Sequence, residues 1–77
     1  MMTQKQSVLK YIGQGRRITQ FQAGLELGIM RLASRINELK HPKDGSAGWD
    51  ILDGWKSGTA ANGRRYKIKE YWLNMVD

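Results

Sequence analysis

The sequence predicts an α+β domain in which three helices precede a β-hairpin, and three observations carry that expectation. Thr3 with Gln6, and Thr19 with Gln22, repeat a capping spacing in which hydroxyl and amide satisfy the backbone N–H groups that a first helical turn leaves unpaired. Leu32, Ile36 and Leu39 recur at i, i+4 and i+7, the spacing of one helix face. Beyond residue 48 the apolar period shortens to two, in a pair of runs separated by glycine and asparagine.

The first helix is expected over about 4–12, with Val8, Leu9 and Ile12 on one side and Tyr11 at the margin; Gln4, Lys5 and Lys10 are left to solvent. Gly13 and Gly15 end it. Arg16, Arg17 and Ile18 form a short link that suits a brief strand pairing with the later hairpin. The second helix runs over about 20–27, with Ile18 as a staple before its cap and Gly28 just beyond its end, where positive φ is common. It carries Phe21, Ala23, Leu25 and Leu27, and Gly24 supplies a small residue for a close helix crossing.

The third helix is expected over about 30–40, with Ile29 and Met30 partly in the connection and Lys40 near the negative end of the helix dipole. Residues 41–48 contain Pro42, Asp44, Gly45, Ser46 and Gly48 and read as a mobile loop. Strands follow over about 49–56, where Trp49, Ile51 and Trp55 share a face, and about 64–72, where Tyr66 and Ile68 alternate with Arg65, Lys67 and Lys69. Residues 57–63, with Gly58, Asn62 and Gly63, make the tip. Most of the aromatic residues Trp49, Trp55, Tyr66, Tyr71 and Trp72 are expected in the core, with residues 74–77 as a loose tail.

At 77 residues the chain fits one domain, 1–77, and its 40% hydrophobic and 26% charged content is that of an ordered globular unit. With no cysteine, packing alone must hold it. No apolar run approaches the roughly 20 residues of a membrane span, and the polar start implies a cytoplasmic protein. Thirteen Lys and Arg against seven Asp and Glu give a net charge of +6, which suits nucleic acid, an anionic membrane or an acidic protein. Catalysis finds little footing. His41 with Asp44 lacks further metal ligands, Asp50 and Asp53 lack a nucleophile and base, and Gly13-Gln14-Gly15 lacks the strand and third glycine of a dinucleotide site. A non-enzymatic protein without cofactor or metal is expected.

The stretch Ile18-Thr19-Gln20-Phe21-Gln22-Ala23-Gly24-Leu25-Glu26-Leu27-Gly28 resembles the second helix and turn of small phage and prophage winged helix-turn-helix proteins. Arg31-Leu32-Ala33-Ser34-Arg35-Ile36-Asn37-Glu38-Leu39 resembles their third helix, and the Trp-containing strand followed by Gly63-Arg64-Arg65-Tyr66 resembles their wing. The likeness spans about residues 5–73, with a loop at 40–48 longer than usual. It implies binding to double-stranded DNA, with the third helix in the major groove and the hairpin on the backbone.

The residues themselves supply the candidate contacts. About 100° per residue places Ser34, Asn37 and Glu38 opposite the apolar side of the third helix, with Arg31 beside them. Arg31 suits guanine, Asn37 adenine and Ser34 base or phosphate; Arg35 lies nearer the apolar side, divided between phosphate and an acidic partner such as Glu38. Lys56, Arg64, Arg65 and Lys67 concentrate charge on the hairpin, and Arg16, Arg17 and the helix start at Gln20 add phosphate contacts. The competing reading is a protein-interaction module that binds and inhibits or redirects a host complex; a homodimer through residues 71–76 is compatible with either. Exposed aromatics on the hairpin would instead favour single-stranded or structured RNA, and an exposed Trp55 or Trp72 a protein partner or dimer surface.

Overall fold

The computed structural model describes residues 2–75. Its elements run α1 (Gln4–Gly13), β1 (Ile18–Thr19), α2 (Gln20–Leu27), α3 (Leu32–Lys40), β2 (Ile51–Thr59) and β3 (Arg65–Leu73). Thr3 and Thr19 both close reciprocal capping boxes, with the threonine hydroxyl accepting from the backbone of Gln6 or Gln22 and that glutamine's side chain accepting in return. Gly28 ends α2 at φ 69°, and the Ile29 N–H closes back on the Ala23 carbonyl at 3.0 Å.

Helix α3 starts later than the sequence suggests. Ile29 is fully buried and the Leu32 N–H is held by Gln20, so Met30 and Arg31 cross an exposed connection before the helix begins. Leu32, Ile36 and Leu39 then face inward as their spacing requires.

The sheet is antiparallel in the order β1-β3-β2. The brief strand falls at Ile18–Thr19, one residue beyond the expected link, and pairs Ile18 with Tyr71 and Thr19 with Glu70. The hairpin is also shifted outward: β2 and β3 pair from Ile51 with Leu73 to Thr59 with Arg65, so Ser57, Gly58 and Thr59 belong to the ladder and Lys56 lies mid-strand opposite Ile68. The tip shrinks to a turn closed by Gly63 N–H to Ala60 C=O at 2.9 Å, with Gly63 at φ 84° and Ala60 N–H bonded to Arg64 C=O at 2.8 Å.

The core gathers Val8, Tyr11 and Ile12 of α1, Ile18 of β1, Ala23 of α2, Ile29, the three inward residues of α3, and Ile51 of β2. Tyr71 and Leu73 pack against it from β3. The expectation of an aromatic core is corrected, because Tyr11 is its one aromatic member among the described residues. Trp49, Trp55 and Tyr66 are exposed, and Tyr71 and Trp72 half-buried. The physical reason is reach: the core covers only the root of the hairpin, while its nine-residue strands extend about 30 Å at the usual rise.

Residues 41–50 fold back on α3. The Trp49 N–H donates to the Leu39 carbonyl at 2.9 Å, which places Trp49 in the helix-capping loop ahead of β2. A side chain at Gly48 would overlap the Lys40 backbone carbonyl. Asp44 accepts from both the N–H and hydroxyl of Ser46, which holds its carboxyl below the ordinary carboxylate range. Asn74, placed by the sequence in a loose tail, is joined to Asp50 through backbone (2.9 Å) and side chain (2.7 Å).

Two glycines therefore behave oppositely. Gly48→Ala forces the loop away from α3 and lowers unfolding stability by about 1–3 kcal/mol, whereas a Cβ at Gly24 would meet only the Ile29 carbonyl at 3.8 Å, an ordinary contact. Gly24→Ala thus leaves stability unchanged or raises it by up to about 1 kcal/mol. Thermal unfolding of the two variants beside the parent checks both, at about 4–8 °C per kcal/mol.

Candidate nucleic-acid interface

Consecutive residues of one segment set the position of α3. Thr19 pairs with β3 and caps α2 in the same place, so the axis of α2 is fixed relative to the sheet. The next residue, Gln20, spans the turn: its Nε2 donates to the Ile29 carbonyl and its Oε1 accepts from the Leu32 N–H, both at 2.7 Å. The side-chain amide of this expected phosphate contact is thereby engaged with the turn, although the residue stays exposed. The sequence carried no signal for this clasp, whose partners lie nine and twelve residues on.

With α3 so held, its first turn stands beside the wing. A groove of about 200 Å³ is lined by Gln20 and Phe21 of α2, Leu32 and Ala33 of α3, and Ile68, Lys69 and Tyr71 of β3. Arg31, Ala33 and Asn37 are exposed, while Ser34, Arg35 and Glu38 are half-buried. The outward face is thus turned toward Ala33 and away from Glu38 relative to the sequence expectation. Arg35 pairs with Glu38 at 2.7 Å and donates to Gln4 Oε1 of α1 at 3.4 Å, which realises the acidic-partner alternative for this arginine.

The wing changes character along its length. Ile51 and Leu73 share one sheet face with Tyr71 and cover the core at the root. That same face continues outward as Asp53, Trp55, Ser57 and Thr59 opposite Tyr71, Lys69, Lys67 and Arg65. The other face carries Lys56, Ile68, Tyr66 and Trp72. Three cations at every second position therefore line up on the face that joins the α3 side, with Arg64 at the tip.

Arg16 and Arg17 are placed differently. Arg16 stacks over Tyr11 at 4.2 Å and lies 4.0 Å from Glu26, which also accepts from the Tyr11 hydroxyl. Burial, with that hydrogen bond to Glu26, raises the Tyr11 pKa above the ordinary phenol value. Arg17 bonds Glu70 at 2.7 Å and stacks over Trp72 at 4.2 Å. Both brace the framework.

The charge pattern follows. Among the described residues, Glu26, Glu38, Glu70 and Asp53 are in ion pairs with Arg16, Arg35, Arg17 and Lys69, and Asp44 and Asp50 are hydrogen-bonded to Ser46 and Asn74. Arg31, Lys56, Arg64, Arg65 and Lys67 are exposed with no carboxylate within ion-pair distance among those residues. The unneutralised charge of the candidate set is thus concentrated at the start of α3 and along the wing. Met30, 83% exposed, and Phe21, 73% exposed, flank this area and were not anticipated as surface residues. Within the described residues no group of three or more His, Cys, Asp or Glu side chains gathers at metal-binding distance, and no helix is long and apolar enough to cross a membrane.

Gln20→Ala removes two part-buried hydrogen bonds across the turn and lowers stability by about 1–3 kcal/mol. Urea unfolding checks this, with an unchanged slope and a lower midpoint as the expected outcome.

Residues 3–76 match a family model described as a winged helix-turn-helix domain. No curated protein and no solved structure matches the chain.

Proposed function

The chain belongs to the winged helix-turn-helix family, whose fold points to DNA binding, and we propose that it is a duplex DNA-binding protein without catalytic activity, acting as a phage-type transcription regulator or an architectural factor in recombination. The observation that carries this reading is the set of exposed cations without carboxylate partners at the start of α3 and on the wing, Arg31, Lys56, Arg64, Arg65 and Lys67; Lys5, Lys10, Lys40 and Lys43 are also without such partners among the described residues, but they are scattered over α1, the end of α3 and the loop after it. In this arrangement α3 enters the major groove, where Arg31 at its N-terminal end reaches a guanine edge and Asn37 further along an adenine edge, with Ser34 at the margin. Arg64, Arg65 and Lys67 lie along the phosphate backbone, and Lys56 approaches it from the opposite wing face. Arg16, Arg17 and Arg35 act by holding α1, the sheet and α3 in place; the free backbone donors at the start of α2 add a phosphate contact near Gln20.

A second reading rests on apolar side chains at the margin of that surface. Phe21 and Leu25 stand one turn apart on α2, 73% and 74% exposed, and leave two large apolar side chains side by side in water; Met30, before α3, is 83% exposed. This patch suits a protein contact, either a second copy of the chain or a host protein. Light scattering of the purified chain discriminates the first case: Leu25→Lys converts a dimer to a monomer if the patch joins two copies, and an already monomeric parent removes that option.

Binding of labelled random duplex DNA, followed by fluorescence anisotropy at several salt concentrations, tests the principal reading. The logarithm of affinity falls linearly with the logarithm of salt, and the slope of the Arg64→Ala/Arg65→Ala variant is smaller by about one to two. Absence of binding at low salt rejects duplex recognition and leaves the protein-contact reading.

A further inference from the structure

We propose that the outer wing holds a stacking site for an unpaired nucleobase, so that the protein prefers duplex DNA interrupted by unpaired nucleotides over intact duplex. The inference rests on the reading that the wing faces DNA and adds a structural preference to it.

Trp55 is 68% exposed although it lies in the middle of β2, directly across from Lys69. The core does not use it, and the strand does not require it. On its own face it is followed by Ser57 and Thr59, and across the ladder by Lys67 and Arg65. Ser57 and Thr59 are small, and along its own strand the indole stands above them. Beyond it a shallow hollow of about 640 Å³ runs along the wing, lined by Ser57, Gly58, Thr59, Arg65, Tyr66 and Lys67. Ser57, Thr59, Arg65 and Lys67 of that lining share the Trp55 face while Gly58 and Tyr66 belong to the other, so the aromatic platform is followed on its own face by a stretch bearing two cations.

Charge selects the occupant. Lys69 places its ammonium 5.9 Å from the Trp55 ring centroid, and Arg65 and Lys67 continue the line toward the tip. The carboxylate on this face is Asp53, which lies at the root and is drawn to Lys69 at 3.9 Å. Cations at alternate strand positions recur about every 7 Å, comparable with the phosphate repeat of an extended single strand. An aromatic surface beside such a row is the arrangement that binds unpaired nucleotides, with phosphates on the cations and a base on the ring.

Intact duplex cannot use this platform, because the π-faces of its bases are covered by neighbours in the stack. A frayed, mismatched or looped-out base exposes one. The groove beside Ala33 and Lys69 keeps α3 next to the same wing face, so duplex on α3 and an unpaired base on Trp55 are neighbouring sites rather than competing ones.

Anisotropy with two labelled DNAs of equal length and flanking sequence, one fully paired and one with a short central unpaired segment, tests the site in the full chain. The parent binds the interrupted DNA about tenfold more tightly, the size expected from one stacked base. Trp55→Ala brings the ratio to about one, and Trp55→Phe, which keeps a smaller ring, retains most of it. Circular dichroism of both variants, matching that of the parent, shows that the fold is kept. Equal affinity of the parent for the two DNAs, or a preference that survives Trp55→Ala, overturns the stacking site while leaving duplex recognition standing. Binding to neither DNA overturns both.

Discussion

Ile18, Thr19 and Gln20 form the constraint on which the rest of the architecture depends. Ile18 is buried in the core and pairs with Tyr71; Thr19 pairs with Glu70 and caps α2; Gln20 bonds both sides of the turn before α3. Core, sheet, helix and turn therefore meet in one short segment. A two-residue strand contributes little ladder energy by itself, but it fixes where the hairpin joins the helices. Arg17 reinforces that junction from the exposed side through Glu70 and Trp72. Its cation–π contact contributes about 0.5–1 kcal/mol at such an exposed site.

From this junction the division of labour among the charges follows. Carboxylates are concentrated where arginines must be held: Glu26 beside Arg16, Glu70 beside Arg17, Glu38 beside Arg35. The wing lacks them beyond Asp53 and Glu70, so its outer cations remain available to an anionic partner. The hairpin is long because its outer half serves a surface, since the ten buried hydrophobic residues among those described require only its root. An edge strand bearing cations also resists pairing with other chains, and that protection is compatible with binding a polyanion.

Much of the fold was legible because its signals are local. The Thr3 and Thr19 boxes, Gly28 and the period of Leu32, Ile36 and Leu39 are each written within a turn or two of helix. The start of α3 was harder, since Met30 and Arg31 are kept out of the helix by a side chain eleven residues before Arg31. Hairpin length was harder still. Ser57, Gly58 and Thr59 have turn-like composition, and only their partners across the ladder make them strand. Period two correctly separated Arg65 and Lys67 from Tyr66, yet it could not show that the core ends before it reaches Trp55. The candidate site was legible in the same uneven way: the free cations at Arg31, Arg64, Arg65 and Lys67 could be read as residue types, while the intramolecular pairings of Gln20, Arg16 and Arg17 depend on partners distant in the chain or newly placed by folding.

The central claim is that the start of α3 and the wing form one nucleic-acid surface. Residue-resolved amide NMR of the labelled chain, titrated with duplex DNA, tests it most directly. The account predicts shifts concentrated at Arg31, Ala33 and Asn37 and at Arg64, Arg65 and Lys67, with Arg16 and Lys10 little changed. Shifts confined to Phe21, Leu25 and Met30, or spread over α1 with the wing silent, would contradict it.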